Sequence, residues 1–252
     1  MREIQSLARG LKILQKLAET NGAVSITSIA SELQVDKGSA SLLAQTLANY
    51  GFAEKDPETR KYKLGPAVVQ LSRSLLTRMP LRETAKPFLL QLVQETGECA
   101  HLGILSQGKV LYIDQVESTQ TLRVNTEVGF SAPLHSTALG KVLLAWKAAE
   151  LPLDLPRFTP RTFVDLKPLQ IELEKTKSLG YAIDDEEFTP GVRCIAAPVF
   201  DFRGRVIGAL GISGPAARIP VKSIPEMAQQ VTSIAQALSD RMSFVQPDQV
   251  IS

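Results

Sequence analysis

Cysteine, histidine and tryptophan are scarce: two cysteines (Cys99 and Cys194), two histidines and one tryptophan in 252 residues. Two thiols make no disulfide framework, so a reducing compartment is the expectation. No stretch approaches the roughly 20 consecutive apolar residues of a membrane-spanning helix, and the opening MREIQSLARG has no apolar core of signal-peptide type. The expected location is therefore the cytoplasm, with no membrane partner. Net charge is only +2, so any affinity for nucleic acid has to come from local basic clusters. No serine, histidine and acid fall at hydrolase spacing, and the GISGP of residues 211–215 is not a nucleophile elbow. No catalytic residue and no cofactor is expected, and there is no repeat or low-complexity tract. What remains, 44% hydrophobic and 21% charged, is an ordinary soluble composition, long enough for two separate cores.

Ile4, Leu7, Leu11, Leu14 and Leu17 recur at three- and four-residue spacing and predict an amphipathic helix ending before Asn21-Gly22. A short second helix follows, with Thr27 as N-cap and Ile29, Ala30 and Leu33 inward. Asp36 caps a third helix that runs to about Tyr50 and stops at Gly51. Phe52-Ala53 and Tyr62-Lys63-Leu64 flank DPETRK, a turn sequence with proline second. Residues 1–65 thus describe a winged helix-turn-helix. On a wheel of about 100° per residue, Ala40, Leu43 and Leu47 face the core. Gly38, Ser41, Leu42, Gln45 and Asn49 lie opposite, with Lys37 and Ser39 near the N-terminal end, the end that enters the major groove in such motifs. Serine and glutamine can bond base edges and Lys37 can meet phosphate. Arg60, Lys61 and Lys63 make the wing locally basic. On pattern alone, a merely solvated polar face is the lesser alternative.

Residues 66–80 read as a linking helix, with Val68, Leu71 and Leu75 (and Val69, Leu76) in phase, starting at Pro66 and ending at Pro80. Residues 81–252 read as a larger unit: a helix from Leu81 to Thr96, then β-rich HLGIL, KVLYIDQV and TLRVN. Helices follow from Ser136 to Lys147, in PLQIELEKTKSLG, and from Ser223 to Phe244, before a frayed tail PDQVIS. A sheet with helices on its faces results, an α+β arrangement.

Two stretches carry chemistry. In LHSTALGKVLLA (134–145), Ser136 or Thr137 caps a helix whose free N–H groups around Thr137, Ala138 and Leu139 attract anions, a natural seat for a carboxylate; every capped helix has such an end, and most bind only water. GYAIDDEEFTPGVRCIAAPVFDFRGRVIGALGISGP (180–215) runs from a solvated acidic loop into two apolar strands joined at Arg203-Gly204. Cys194 lies in the first strand and Ser213 near the end of the second. Four adjacent acids, Asp184 to Glu187, invite a hard cation, but they cannot all point inward and a solvated loop accounts for them. His101, His135 and the cysteines show no zinc-ligand spacing, so no metal is expected. Arg193 points to the opposite strand face from Cys194 and gives it no thiolate support.

These stretches, together with VDKGSASLLAQTLANYGFAEKDPETRKYKLG (35–65), closely resemble the IclR family of bacterial transcription regulators, the last of them ending in the family's YxLG. The resemblance implies a C-terminal effector-binding α/β domain of GAF-like fold. It implies a regulator whose grip on double-stranded operator DNA is controlled by a small-molecule carboxylate effector. Lys37, Ser39, Ser41, Gln45, Arg60 and Lys61 would face the DNA. The backbone of Ala138 and Leu139 and the side chains of Asp184, Cys194 and Ser213 would face the effector, with the three acids after Asp184 in water. A homodimer through the DNA domain and linker is implied, and a homotetramer through effector domains. Asp36 and Leu42 depart from the proline and arginine that members often carry. Gly211 stands where some have a second serine, which implies a larger or less polar effector. The rival from another class is a thiol-based redox sensor, or a GAF-like redox enzyme, using Cys194 with Cys99 as resolving thiol.

Overall fold

A computed structural model describes residues 3–20, 22–124 and 126–242. The chain divides between Arg78 and Met79 into two compact units. The first holds helices α1 (Gln5–Glu19), α2 (Ile26–Leu33) and α3 (Lys37–Asn49), strands β1 (Ala53–Lys55) and β2 (Tyr62–Leu64), and helix α4 (Ala67–Leu76). Its core is small: Ile13, Leu17, Val24, Ile29, Ala30, Ala40, Ala44, Ala53 and Tyr62. Leu43 and Leu47 pack at its edge, and Ala44, absent from the predicted inner face of α3, is fully buried.

Helix α1 is amphipathic as predicted, but of the predicted stripe only Leu17 is fully buried. Ile13 and Leu17 are buried while Ile4, Leu7 and Leu11 stay exposed. On a helical wheel the two sets stand roughly 120° apart, so the helix carries two apolar faces and the small core covers one. The α2 cap also moves: Ser25, not Thr27, accepts from Ser28 N at 3.2 Å. Helix α4 starts after Pro66 and ends at Leu76, short of Pro80, with Val69, Leu71 and Leu75 all exposed and no residue buried.

In the second unit, α5 (Pro80–Thr96) leads into β3 (Cys99–Ser106) and β4 (Lys109–Val116), then β5 (Ser131–Ala132), α6 (Ala138–Ala145) and α7 (Leu166–Leu179). Strands β6 (Ala182–Asp185), β7 (Val192–Phe200) and β8 (Val206–Pro215) and helix α8 (Ile224–Met242) complete it. The strands form one antiparallel sheet in the order β5-β4-β3-β8-β7-β6. Alternation sorts its two faces. Ala100, Leu102, Ile195, Ala197, Val199, Leu210 and Ile212 pack against α5 and α8. Ala182, Ala196 and Ala209 pack against α6 and α7. Those alanines let α6 lie close to the sheet, and Gly140 within it is obligatory because a Cβ would stand 2.5 Å from Leu134 Cα.

The predicted TLRVN strand is absent over residues 121–124. Its backbone is held by side chains instead: Arg218 Nη1 donates to Leu122 O at 2.7 Å and Cys99 Sγ to Val124 O at 3.2 Å. Asn21, Asn125, Phe244 and the tail PDQVIS lie outside the described residues. Among the described residues no helix is long and apolar enough to cross a membrane.

Candidate functional site

Two surfaces carry function-bearing residues, one in each unit. In the first, α2 and α3 form the helix-turn-helix. Asp36 Oδ1 accepts from Ser39 N at 2.9 Å and Oδ2 from Ser39 Oγ at 2.6 Å. These Ser39 bonds hold the Asp36 carboxyl below its ordinary range, and its charge favours the positive end of α3. Ser39 therefore spends its hydroxyl proton on the cap and keeps only acceptor capacity toward a ligand. Lys37, Gly38, Gln45 and Asn49 are exposed, Ser41 is half-buried, and Leu42 is 71% exposed. Gln45 Nε2 donates to Asn49 Oδ1 at 3.0 Å, which orients the amide.

The wing is tied by Asp56, whose Oδ1 accepts from Thr59 N at 2.7 Å and Glu58 N at 2.9 Å. That turn brings Arg60 to φ +56°, in the left-handed region, with Arg60 and Lys61 exposed. Lys63, the third member of the predicted basic cluster, pairs with Glu54 at 3.0 Å.

In the second unit, register aligns Asp184, Cys194, Ser213 and Cys99 directly across β6, β7, β8 and β3. Directly paired residues share a face, here the one that α6 covers. Thr137 caps α6 by accepting from Gly140 N at 3.2 Å. Between the start of α6 and the strands lies a cavity of about 20 Å³, with Ala138, Leu139, Cys194, Ser213, His101 and Tyr112 among its walls. Four of the five predicted effector residues thus meet at one void. Asp184 is not on its wall: it stands one strand beyond Cys194, buried, with Oδ1 accepting from Glu187 N at 2.7 Å.

The cavity is neutral. Burial lowers the His101 pKa to about 4 and raises that of Tyr112 above its ordinary value. Burial, then the Asp184 carboxylate, pushes the half-buried Cys194 thiol well up. The thiolate that a redox reading requires is therefore disfavoured. Strand β8 separates the two cysteines, and two strand spacings amount to about 9–10 Å, beyond the roughly 7 Å that a disulfide spans.

The acidic stretch is not a solvated loop with three acids in water. Asp184 and Asp185 belong to β6, and Glu187 is buried against Lys141 of α6, Oε1 to Nζ 2.6 Å. Lys141 is wholly buried, also facing Glu172 at 3.5 Å and the Phe163 ring at 5.2 Å. Burial raises Glu187 to about 7 and Asp184 to about 6, Lys141 opposing both. Asp185 pairs with Arg161 at 2.6 Å and with Arg193, which Glu186 also faces. Sequence reasoning passed over Lys141, left Glu187 in water and weighed His101 only as a zinc ligand. A lysine inside ALGKVLLA was the signal for the first two, since a charge at a core position needs a buried counter-ion. For His101 the signal was its place two residues from Cys99 on one strand. Among the described residues no group of three or more His, Cys, Asp or Glu is placed to hold a metal.

Residues 6–57 match the IclR helix-turn-helix domain, and residues 73–240 match the C-terminal region of bacterial transcriptional regulators of IclR type. The chain belongs to the IclR family. The family's regulator BhcR of Paracoccus denitrificans is 36% identical over 249 residues, covering 95% of this chain and 88% of that one. XynR of Escherichia coli is 34% identical over 247 residues, covering 96% and 98%. Transcriptional repressor IclR of Escherichia coli is 31% identical over 245, covering 94% and 89%. The crystal structure of Thermotoga maritima IclR superposes with a TM-score of 0.72 at 27% identity, covering 96% of this chain and all of that one. An IclR homologue from Microbacterium hydrocarbonoxydans, solved with 4-hydroxybenzoate, shares the fold with a TM-score of 0.78 at 22% identity, covering 94% and 98%. IclR-family relatives are transcriptional regulators, not enzymes, and this chain is a DNA-binding transcriptional regulator with a separate C-terminal IclR unit.

Proposed function

We propose that a small organic acid controls operator binding by seating its carboxylate at the start of α6. The observation that carries this is the cavity itself. First-turn N–H groups of a helix have no carbonyl partner within it and attract anions. Here Ala138 and Leu139 bring them to a void whose other titratable walls, His101, Tyr112 and Cys194, are uncharged at neutral pH. An entering anion meets donors and no wall charge of its own sign. Cys194 and Ser213 supply polar contacts, and Asp184 acts through Cys194 and through the turn it caps. About 20 Å³ holds a single water, so a ligand has to open the site. The liganded arrangement therefore differs from this one, which gives an effector the differential affinity that regulation needs.

On the DNA side, Lys37, Ser39, Ser41 and Gln45 face the major groove of a double-stranded operator, and Arg60 and Lys61 face phosphate. The exposed apolar residues of α1 and α4, Ile4, Leu7, Leu11, Val69, Leu71 and Leu75, support a homodimer formed by the DNA domain and linker, so that two recognition helices read a pseudo-palindrome. A homotetramer would add contacts between effector domains.

The test is a thermal-shift panel of small mono- and dicarboxylic acids, aromatic hydroxy acids included, followed by operator-binding assays with any that stabilise. A ligand at about 100 times its Kd adds about 2.7 kcal/mol to the folded state. A panel with no stabilising acid, or stabilising acids that leave operator affinity unchanged, would falsify the reading.

A further inference from the structure

Building on the organic-acid reading above, we propose that His101 recognises a hydroxyl group on the effector, so that the acids recognised are hydroxy carboxylic acids. His101 on β3 stands directly opposite Gly211 on β8. Gly211 carries no side chain and has room for none, because a Cβ there would lie 2.5 Å from Ile195 O and 2.8 Å from Ala196 Cβ. The imidazole bonds Ser213, two residues further along β8, Nε2 to Oγ 2.6 Å. Its other nitrogen, Nδ1, is buried and has no partner. Native interiors seldom leave a polar atom so, and this residue lines the cavity.

The chemistry of Nδ1 selects what can satisfy it. The imidazole is neutral, so it offers no charge to a carboxylate, which the α6 start serves better. If Nε2 carries the proton toward Ser213, Nδ1 accepts; if Ser213 donates to Nε2, Nδ1 donates. A hydroxyl both donates and accepts, so it meets either tautomer. An effector with its carboxylate on the helix side of the cavity and a hydroxyl on the sheet side satisfies both walls. The serine missing at position 211 therefore does not make this pocket less polar, because His101, opposite it in register, brings an unpaired polar atom to the same cavity.

Isothermal calorimetry on the full chain decides it, with matched acids that differ by one hydroxyl: benzoate against 2-, 3- and 4-hydroxybenzoate, propionate against lactate, butyrate against 3-hydroxybutyrate. For the wild type, at least one hydroxy acid should bind about tenfold or more tightly than its partner, as a site built to bond a hydroxyl discriminates against its absence. His101→Asn keeps polar atoms near Nδ1 and should keep that ratio. His101→Gln reaches Ser213 but leaves the Nδ1 position empty, and its ratio should fall to near one. Nitrogen-15 NMR of the wild-type imidazole covers the case that a His101 variant fails to fold: the Nδ1 resonance should move on binding the hydroxy acid and much less with its matched partner. Equal binding of every matched pair by the wild type would overturn the role of His101 while leaving the organic-acid reading intact. A ratio retained by His101→Gln, or an Nδ1 resonance that the hydroxy acid leaves unmoved, would overturn it too. If no acid binds at all, the organic-acid reading itself falls, and this inference with it.

Discussion

Lys141 Nζ lies 2.6 Å from Glu187 Oε1, and no part of the lysine side chain reaches solvent. The pair joins α6, whose start faces the cavity, to the turn that follows β6. Removing one partner of a buried pair leaves an uncompensated charge, a loss of about 3–5 kcal/mol. Lys141→Met should show that loss near pH 8. Without the lysine, the Glu187 pKa, already raised to about 7 by burial, rises further. A carboxyl raised in the folded state stabilises below its unfolded pKa and loses that contribution as pH rises through the folded one. The deficit of Lys141→Met should therefore shrink by pH 5.5, where Glu187 is protonated in both proteins. Urea midpoints at the two pH values check this; a deficit independent of pH would mean that Glu187 is not the responding group.

His101 makes the opposite pH signature. Burial holds its folded pKa near 4 against an ordinary 6.5, so the unfolded chain binds the extra proton. Its contribution to stability is complete above about pH 6.5 and declines as pH falls toward 4. At pH 5 the wild type should have lost about 2 kcal/mol through this residue. His101→Gln carries no such group, so the stability gap between it and the wild type should narrow by that amount between pH 7 and 5. Chemical denaturation across that range measures it, and parallel curves would place the His101 pKa near its ordinary value.

Architecture was legible where a single local rule decides. Asp36 and Gly51 bound α3 because a cap and a left-handed stop act within a few residues. The α6 start was legible for the same reason, Thr137 being one of two candidate caps. What the sequence left hidden depends on partners distant in the chain. The inward face of α1 is chosen by what packs on it, so Ile13 joins Leu17 inside while Ile4, Leu7 and Leu11 of the predicted stripe stay out. TLRVN has β-propensity, but residues 121–124 are held by side chains distant in the chain, Arg218 at Leu122 O and Cys99 at Val124 O. Asp184 to Glu187 look solvated in sequence because Lys141, the cation that buries Glu187, is some forty residues away. The cavity's residues come from β3, β4, α6, β7 and β8, and only strand register shows that Cys194 and Ser213 are neighbours while the two cysteines are not.

Arg60 and Lys61 should carry the salt dependence of DNA binding. Arg60 sits at φ +56°, so alanine there would confound charge loss with backbone strain, and Arg60→Gly is the cleaner variant. Combined with Lys61→Ala, it should weaken binding to all sequences alike. Each lost phosphate contact lowers the log–log salt slope by about 0.9. A titration from low to moderate salt measures the slope; an unchanged value removes the wing from the interface.

Asp184→Asn is a better probe of the effector site than alanine, because Asp184 Oδ1 also accepts from Glu187 N at 2.7 Å and Phe188 N at 3.4 Å. Alanine would release the turn that holds Glu187, whereas asparagine keeps the acceptor and removes only the charge. If the carboxylate sits at the α6 start, a neutral residue 184 relieves repulsion with it. Acid binding by Asp184→Asn should then be as tight as wild type or tighter, and should weaken less than wild type as pH rises through about 6, the folded Asp184 pKa. Operator affinity without acid should not move. Calorimetry at pH 5.5 and 7.5 separates the outcomes. Equal pH dependence in both proteins would show that the effector's charge lies too far from Asp184 to sense it.

Gln45 should decide one operator position. Its amide is held by one N–H to Asn49 Oδ1 at 3.0 Å, which leaves the second N–H and the carbonyl oxygen free. Those two groups suffice for the paired contact with adenine, donating to N7 and accepting from N6. Gln45→Ala should cost about 1–3 kcal/mol at that base pair and little elsewhere, so the preference among mutated operators should flatten at a single position. Asn49→Ala removes only the orienting bond. It should lower affinity for the preferred operator more mildly while leaving the order of preference intact, because Gln45 still reads the same edge after an added ordering cost. Competition binding against a panel of single-base operator variants distinguishes the two. If Gln45→Ala binds the panel in wild-type order, α3 reads the groove through other residues, and Ser41, half-buried beside it, becomes the next to replace.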